Sequence, residues 1–233
     1  MTHGEMMKAL RSAADPAYAA YQKKIICDTD YPMLFVRMPD LRKIVKAAKD
    51  DWKVLADSCS FSCYEEVMAV CLAVAGAKAP LAERLSVLRP LLDRLDSWGL
   101  TDSIVPTLCV RPDERPTAWE FAQGCIRSDL EYVRRFGIVM LLYYFLIPGY
   151  VEDVVEAIVS VCDSRYYVRM ACAWTLAEMA VNDPCRVMGV LAEGKLDLFV
   201  HNMTIRKIRE SLRIAKDVKA EAAAYIRKEE KNV

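Results

Sequence analysis

The sequence contains an internal repeat with the apolar spacing of a helix. EYVRRFGIVMLLYYF aligns with YYVRMACAWTLAEMA when Tyr132 is set against Tyr167 and Leu141 against Leu176, an offset of 35 residues. Repeats of this length are typical of helical hairpins, each of which buries its apolar face only against its neighbours. The repeat therefore predicts an α-solenoid of stacked hairpins with a concave inner face.

The rest of the chain has the same helical character. Glycines number only 8, alternating strand patterns are scarce, and Asp15-Pro16 has the pattern of a helix start. We predict an all-α fold with helices of about 10 to 18 residues, in one domain over residues 1–233 with a short flexible tail from about residue 228. The prolines expected at helix boundaries are Pro80, Pro90, Pro106, Pro112, Pro116, Pro148 and Pro184.

Composition limits the classes of function. Lys plus Arg and Asp plus Glu are 32 each, so no global field attracts nucleic acid or anionic membrane. The nine cysteines and the polar start of the chain predict a cytoplasmic protein without a signal peptide. Cys59 and Cys63 lack the spacing of a zinc site, and we expect no metal and no cofactor. The apolar run of residues 136–147 is too short to span a membrane and predicts a buried helix.

Charge is nevertheless unevenly distributed along the chain. Residues 206–219 are strongly basic and residues 23–49 moderately so. Two interpretations remain open. These helices either bind a polyanion or present solvated faces whose charges are paired. The candidate contacts to a polyanion are Arg37, Arg42, Lys43, Arg206, Lys207 and Arg209.

Several segments taken together identify a family. These segments are VRMPDLRKIVK, DSWGLTD, YVRRFGIVMLL, YYVRMACAWTLAE and KIRESLR. In this order they resemble the HEAT-like-repeat DNA alkylation repair proteins, the AlkD-type alkylpurine DNA glycosylases. The resemblance extends over about residues 18–227, and it implies that the hairpins are HEAT-like repeats.

The resemblance implies a set of working residues. The family's catalytic aspartate and its aromatic partner match Asp102 and Trp98, whose W-x-x-x-D spacing is intact. The second aromatic wall matches Trp174. The arginine that contacts the backbone of the damaged strand matches Arg135, and Arg134 is the second candidate.

Taken without the resemblance, each of these residues has a simpler interpretation. A tryptophan at helical spacing is more often part of a core. Asp102 fits the N-cap of a helix that starts near Ser103. Arg134 and Arg135 fit an ordinary solvated pair at the start of a repeat, and the repeat counterpart Arg169, a further candidate contact to DNA, suggests a role in linking adjacent repeats. Glu65 and Glu66 are adjacent and diverge by about 100° on a helix, which argues against paired acid and base work.

The implied activity is that of a monofunctional DNA glycosylase. Such an enzyme hydrolyses the N-glycosidic bond of N3- or N7-alkylated purines in double-stranded DNA, and we expect it to act as a monomer. The sequence departs from the family at Tyr64, Val67 and Met68, where a histidine and an arginine are usual, and at Phe35, where glycine is common.

With zero net charge, weak and strongly salt-sensitive DNA binding is predicted. These departures and the missing charge keep an alternative open. It is a non-catalytic helical-repeat protein that binds DNA structures or a protein partner through its concave face.

Overall fold

The computed structural model describes residues 1–228, apart from the side chain of Lys49, and this part of the chain is helical without any strand. The tail predicted from about residue 228 lies outside the described residues from residue 229 onward. The chain divides into two compact units, Met1–Gln123 and Gly124–Val233. The prediction of a single domain stays a prediction.

The first unit contains eight α-helices, the last of which ends just beyond its boundary. Three short 3-10 turns, Pro16–Tyr18, Lys49–Asp51 and Pro112–Glu114, join some of these helices. The α-helices are α1 (His3–Ser12), α2 (Ala19–Ile25), α3 (Met38–Ala48), α4 (Trp52–Ser58), α5 (Tyr64–Ala75), α6 (Leu81–Leu92), α7 (Trp98–Thr107) and α8 (Arg115–Ile126).

Helix α5 forms the centre of the first unit. It contacts α3, α4, α6 and α7. Every residue of α5 is buried, including Glu65 and Glu66. The apolar run from Val67 to Ala75 explains this position, because a helix that is hydrophobic on all sides is stable only when neighbours surround it.

The second unit shows the internal repeat directly. Its helices in the described part are α9 (Glu131–Tyr144), α10 (Val151–Ser160), α11 (Tyr166–Met179), α12 (Pro184–Glu193), α13 (Leu198–Glu210) and α14 (Lys216–Ala224). Helices α9 and α11 are both 14 residues long and begin 35 positions apart. Because α11 packs against both α9 and α13 while α12 packs against α11 and α14, the hairpins are stacked as in an α-solenoid.

Corresponding arginines link these repeats. Arg134 donates to Asp163, just before α11, at 2.7 Å. Arg169, its repeat counterpart, lies 3.8 Å from Asp197, just before α13. The interpretation of Arg134 and Arg169 as links between repeats agrees with these contacts.

Some predicted boundaries were wrong. Eleven of the fourteen α-helices in the described residues are 10 to 14 residues long, within the predicted range, whereas α2 and α4 have 7 residues and α14 has 9. Pro90 and Pro106 lie inside the last turns of α6 and α7, not at their boundaries. The apolar run of residues 136–147 forms most of α9 and is buried from Phe136 to Leu141. In the described chain, every helix is too short or too polar to reach across a bilayer.

Candidate functional site

The start of α7 is fixed by two polar side chains. Ser97 is the N-cap and accepts a hydrogen bond from the backbone N–H of Gly99 at 3.2 Å. Asp28 accepts from the Ser97 hydroxyl and from the backbone N–H of Trp98, both at 2.9 Å. The interpretation of Asp102 as an N-cap was therefore wrong, because the helix already begins at Trp98. Asp102 is the fifth residue of α7, one turn beyond Trp98.

Trp98 and Asp102 share one face of α7 and line one cavity. Both side chains are half-buried, and the cavity, here called the Asp102 cleft, has a volume of about 210 Å³. Its walls come from α2, α3, α5, α7 and the chain before α3. The other lining residues are Tyr18, Gln22, Ile25, Ile26, Val36, Met38, Leu41, Tyr64, Glu65, Met68, Gly99 and Ser103. The cleft thus combines carboxylates with an aromatic and aliphatic lining.

The loop before α3 is held against the cleft by Glu65. This carboxylate is 1% exposed and accepts hydrogen bonds from the backbone N–H groups of Leu34 and Phe35 at 2.8 Å and of Val36 at 3.3 Å. Phe35 has a φ of 64°, in the left-handed region that favours glycine. Phe35 is therefore a bulky side chain held in a backbone conformation that favours glycine.

The neighbouring carboxylate of Glu66 has a different environment. It accepts hydrogen bonds from the backbone and hydroxyl groups of Ser60 and Ser62 and contacts His3 Nε2 at 2.7 Å. Burial opposes its ionisation, but the hydrogen bonds from Ser62, Ser60 and His3 outweigh burial and lower the pKa of Glu66 to about 2. Glu65 and Glu66 hold separate loops, so the adjacent carboxylates do not form an acid and base pair.

Tyr64, the first residue of α5, packs against α7. A Cβ atom added to Gly99 would lie 2.5 Å from the Tyr64 hydroxyl oxygen and 2.5 Å from Ile26 Cδ1, so only glycine allows this approach. Burial raises the pKa of Tyr64, and a hydrogen bond with Ser97 opposes that rise. Tyr64 is therefore a neutral phenol that joins α5 to the start of α7.

The three basic candidates near α3 differ in their partners. Arg37 forms an ion pair with Asp15 at 2.8 Å and stacks over the Tyr18 ring at 4.7 Å. Lys43 forms an ion pair with Asp40 at 2.7 Å. Arg42 is exposed and has no carboxylate partner among the described residues. Of this set, Arg42 is the cation with the least competition for an external anion.

In the second unit, Trp174 lies on α11 and is half-buried. Its Nε1 donates to Glu178 Oε1 at 3.3 Å, and its ring meets Tyr143 edge-on with centroids 6.4 Å apart. Trp174 lines an open cavity of about 350 Å³ together with Lys207 and Arg213. Glu178 and Glu210 also line this cavity, and Arg213 forms an ion pair with Glu178, so the indole lies beside side chains of both charges.

The arginines at the start of α9 and α11 mainly contact protein. Arg135 is 5% exposed, and its Nη1 donates to the backbone carbonyl of Tyr167 at 2.7 Å. Arg134 also donates from Nε to the Ser128 carbonyl at 2.9 Å. Arg169 stacks over the Phe199 ring at 4.3 Å. A contact between any of these arginines and DNA stays a prediction.

The basic stretch on α13 contains both paired and exposed cations. Arg206 forms an ion pair with Glu210 at 2.8 Å, whereas Arg209 is exposed. Lys207 is half-buried at the Trp174 cavity. Trp98 and Asp102 belong to the first unit, and Arg135 and Trp174 to the second, so the common cleft that the resemblance implies for them stays a prediction.

A family profile described as DNA alkylation repair enzyme matches residues 6–215. The chain belongs to the DNA alkylation repair enzyme family. The matched range includes Trp98, Asp102 and Trp174, and it confirms the resemblance drawn from the short segments. A search of curated protein sequences gives no match. Within residues 1–228, no three His, Cys, Asp or Glu side chains are grouped so that they hold a metal ion.

Sequence reasoning missed several residues of the Asp102 cleft. Tyr18, in the 3-10 turn before α2, and Gln22 of α2 reach it from a segment far from α7 in the chain, and no local pattern marks them. The role of Glu65 in holding the loop was also missed. A glutamate at the start of a helix after an irregular segment is a common acceptor for backbone N–H groups. That pattern offered a signal for its role in holding the loop.

Proposed function

We propose that this DNA alkylation repair family member is a monofunctional DNA glycosylase that releases N3- or N7-alkylated purines from duplex DNA. The observation that carries the proposal is the placement of Asp102 and Trp98 on one face of α7, both accessible from the same cleft. Their side chains offer a carboxylate and a π face to one ligand, and family membership supplies alkylated DNA as that ligand.

The proposed chemistry demands little of the protein. A purine alkylated at N3 or N7 carries a positive charge, so it leaves from C1′ as a neutral base and takes the electrons of the glycosidic bond. The deoxyribose then develops oxocarbenium character, which a carboxylate and aromatic faces stabilise in a partly desolvated site. Asp102 would stabilise this cation and orient the water whose oxygen bonds to C1′, and the proton lost by that water passes to solvent.

The remaining candidate residues would bind the substrate. Trp174 would supply a second aromatic wall from α11, and Lys207 beside it a phosphate contact. Arg42 and Arg209, both exposed, would contact further phosphates, while Arg37, Lys43 and Arg206 would do so by leaving their ion pairs. Arg134, Arg135 and Arg169 join the repeats of the second unit, and DNA contact through them belongs to the same proposal.

The test is base release from duplex DNA that contains one 7-methylguanine or 3-methyladenine. Under single-turnover conditions, Asp102→Asn should lower the rate by about 100-fold to 1,000-fold, as removal of one group that stabilises a transition-state charge commonly does. Asp57→Asn is the matched control, because Asp57 is an exposed carboxylate on α4. Background-level release by the wild type, or equal release by wild type and Asp102→Asn, would contradict the proposal.

One observation favours a second function, a non-catalytic protein that binds DNA structures. The chain has zero net charge, and many of its cations are paired with carboxylates, which weakens attraction for a regular duplex. This alternative predicts binding to DNA structures without base release. The rate assay with Asp102→Asn distinguishes the two functions.

A further inference from the structure

The first unit contains a second, larger cavity at the other end of α5 and α7. Its volume is about 850 Å³, and it is lined by the chain that follows α5 and by the chain that follows α7. Four cationic side chains face it: Arg42, Lys78, Arg84 and Arg111. We call it the basic cavity.

Arg84 fixes the floor of the basic cavity. The residue is 6% exposed, and its guanidinium donates to the backbone carbonyls of Ala79 at 3.1 Å, Ala75 at 2.5 Å and Leu108 at 2.8 Å. These carbonyls belong to the last residue of α5 and to the segments that follow α5 and α7, so Arg84 shapes both walls. A guanidinium cannot lose its proton in a protein, and a fixed positive charge therefore lies at the base of the cavity.

A single carboxylate opposes these charges among the lining residues. Glu114 accepts from the backbone N–H of Leu81 at 3.0 Å and lies 3.2 Å from Arg111 Nη2 and 3.9 Å from Arg84 Nη2. Arg42 and Lys78 are exposed and form no ion pair within the described part of the chain. The lining residues thus carry four positive charges and one negative charge, and Asp113 beside the lining pairs with Arg111 Nε at 3.4 Å, so a positive excess remains. A concave surface with this excess of one sign concentrates small anions.

We propose that the basic cavity binds a phosphate group, with the unpaired Arg42 and Lys78 as its main contacts and with Arg111 as a contact once it leaves its ion pairs with Glu114 and Asp113. Arginine and lysine side chains are the usual phosphate ligands in proteins, and these three come from separate segments around one concavity. The phosphate comes either from a DNA backbone or from a free phosphate compound. The same recognition chemistry serves both sources.

The position of the cavity favours a DNA backbone. Pro106 and Thr107 of α7 line it, and Pro106 lies four residues beyond Asp102, about 6 Å along the helix axis. A strand with its damaged nucleotide at the Asp102 cleft therefore has neighbouring phosphates within reach of the basic cavity. This choice of source rests on the proposed function, whereas the anion site itself does not.

Cys109 provides a direct probe, because this exposed thiol lines the basic cavity. The full-length protein would be alkylated with iodoacetamide, and each cysteine followed by peptide mass spectrometry. The exposed Cys27, Cys162 and Cys185 serve as internal references. Three ligand arms are compared at equal ionic strength: sodium chloride, inorganic phosphate and an unmodified DNA duplex. With ligand at about ten times its dissociation constant, Cys109 alkylation should slow about tenfold, with smaller changes at the references.

Variants connect protection to the proposed contacts. The double variant Arg42→Ala and Lys78→Ala should lose the protection of Cys109. Lys46→Ala, which removes another exposed cation of α3, should keep it. Protection by inorganic phosphate identifies a free phosphate as a sufficient ligand, and protection by duplex alone identifies the DNA backbone. Either result supports the site.

Two results would overturn the inference: no protection in either ligand arm, or protection that the double variant retains. The proposed function is judged separately by base release. An active glycosylase whose Cys109 is never protected would refute the basic cavity and leave the function standing. A protected Cys109 in a protein that releases no base would refute the proposed glycosylase function and leave the basic cavity standing.

Discussion

Phe35 offers a direct measurement of the backbone strain beside the Asp102 cleft. Its φ of 64° costs a residue with a Cβ atom about 1 to 2 kcal/mol relative to glycine. Replacing Phe35 by glycine or by alanine removes the same ring, including its contact with the Lys23 ammonium group 5.4 Å from the ring centroid. The difference in unfolding free energy between the two variants therefore isolates the backbone conformation.

Two opposing effects decide which of the two variants is more stable. Alanine lowers the entropy of the unfolded chain relative to glycine, which favours the alanine variant by about 0.4 to 1 kcal/mol. The cost of the left-handed conformation exceeds this gain, so Phe35→Gly should be more stable than Phe35→Ala by about 0.5 to 1 kcal/mol.

Urea unfolding, followed by far-UV circular dichroism, gives both free energies. The same pair of substitutions at Leu34, whose φ is not positive, should give the opposite order. A Phe35→Ala variant at least as stable as Phe35→Gly would refute the reasoning.

Two further predictions concern the packing and the charges around α5. Gly99→Ala should destabilise the protein by about 1 to 3 kcal/mol in urea unfolding, because its Cβ atom would meet Tyr64 and Ile26 at 2.5 Å. Gly124→Ala, inside α8 with no atom within 4 Å, should instead stabilise it by about 0.5 to 1 kcal/mol, and equal effects of the two changes would contradict this account. Because hydrogen bonds lower the pKa of Glu66 to about 2, its contribution is complete above about pH 4.5 and is lost as the pH falls towards 2, an effect of about 3 kcal/mol. Unfolding free energies measured from pH 6 to pH 3 should fall less steeply in Glu66→Gln, and an unchanged slope would count against this role.

The fold was predictable because its signal is local and repeated. The alignment of Tyr132 with Tyr167 gave the offset that α9 and α11 show. Helix type follows from apolar spacing, which every turn of these helices repeats. Helix ends were less predictable. A helix can continue for a few residues past a proline when tertiary packing holds its last turn, as α6 does at Pro90 and α7 at Pro106.

The candidate site was predictable only in part. The spacing of Trp98 and Asp102 placed both on one face of a helix, which α7 confirms. The opposite walls come from α2 and from the loop that Glu65 holds, and these contacts join positions more than 25 residues apart in the chain. No periodic pattern in the sequence indicates which distant segments will form these walls, because tertiary packing decides which segments meet.

Net charge was the least informative property of the sequence, because it counts cations in ion pairs and unpaired cations alike. A lysine or arginine in an ion pair must leave its carboxylate before it contacts a phosphate, so it contributes little net attraction. Arg37, Lys43 and Arg206 are in this situation, whereas Arg42 and Lys78 are not. Each phosphate contact steepens the fall of the logarithm of the duplex binding constant with the logarithm of the salt concentration by about 0.9. DNA binding by this chain should therefore depend on a few unpaired cations, and zero net charge is compatible with a local site for the backbone.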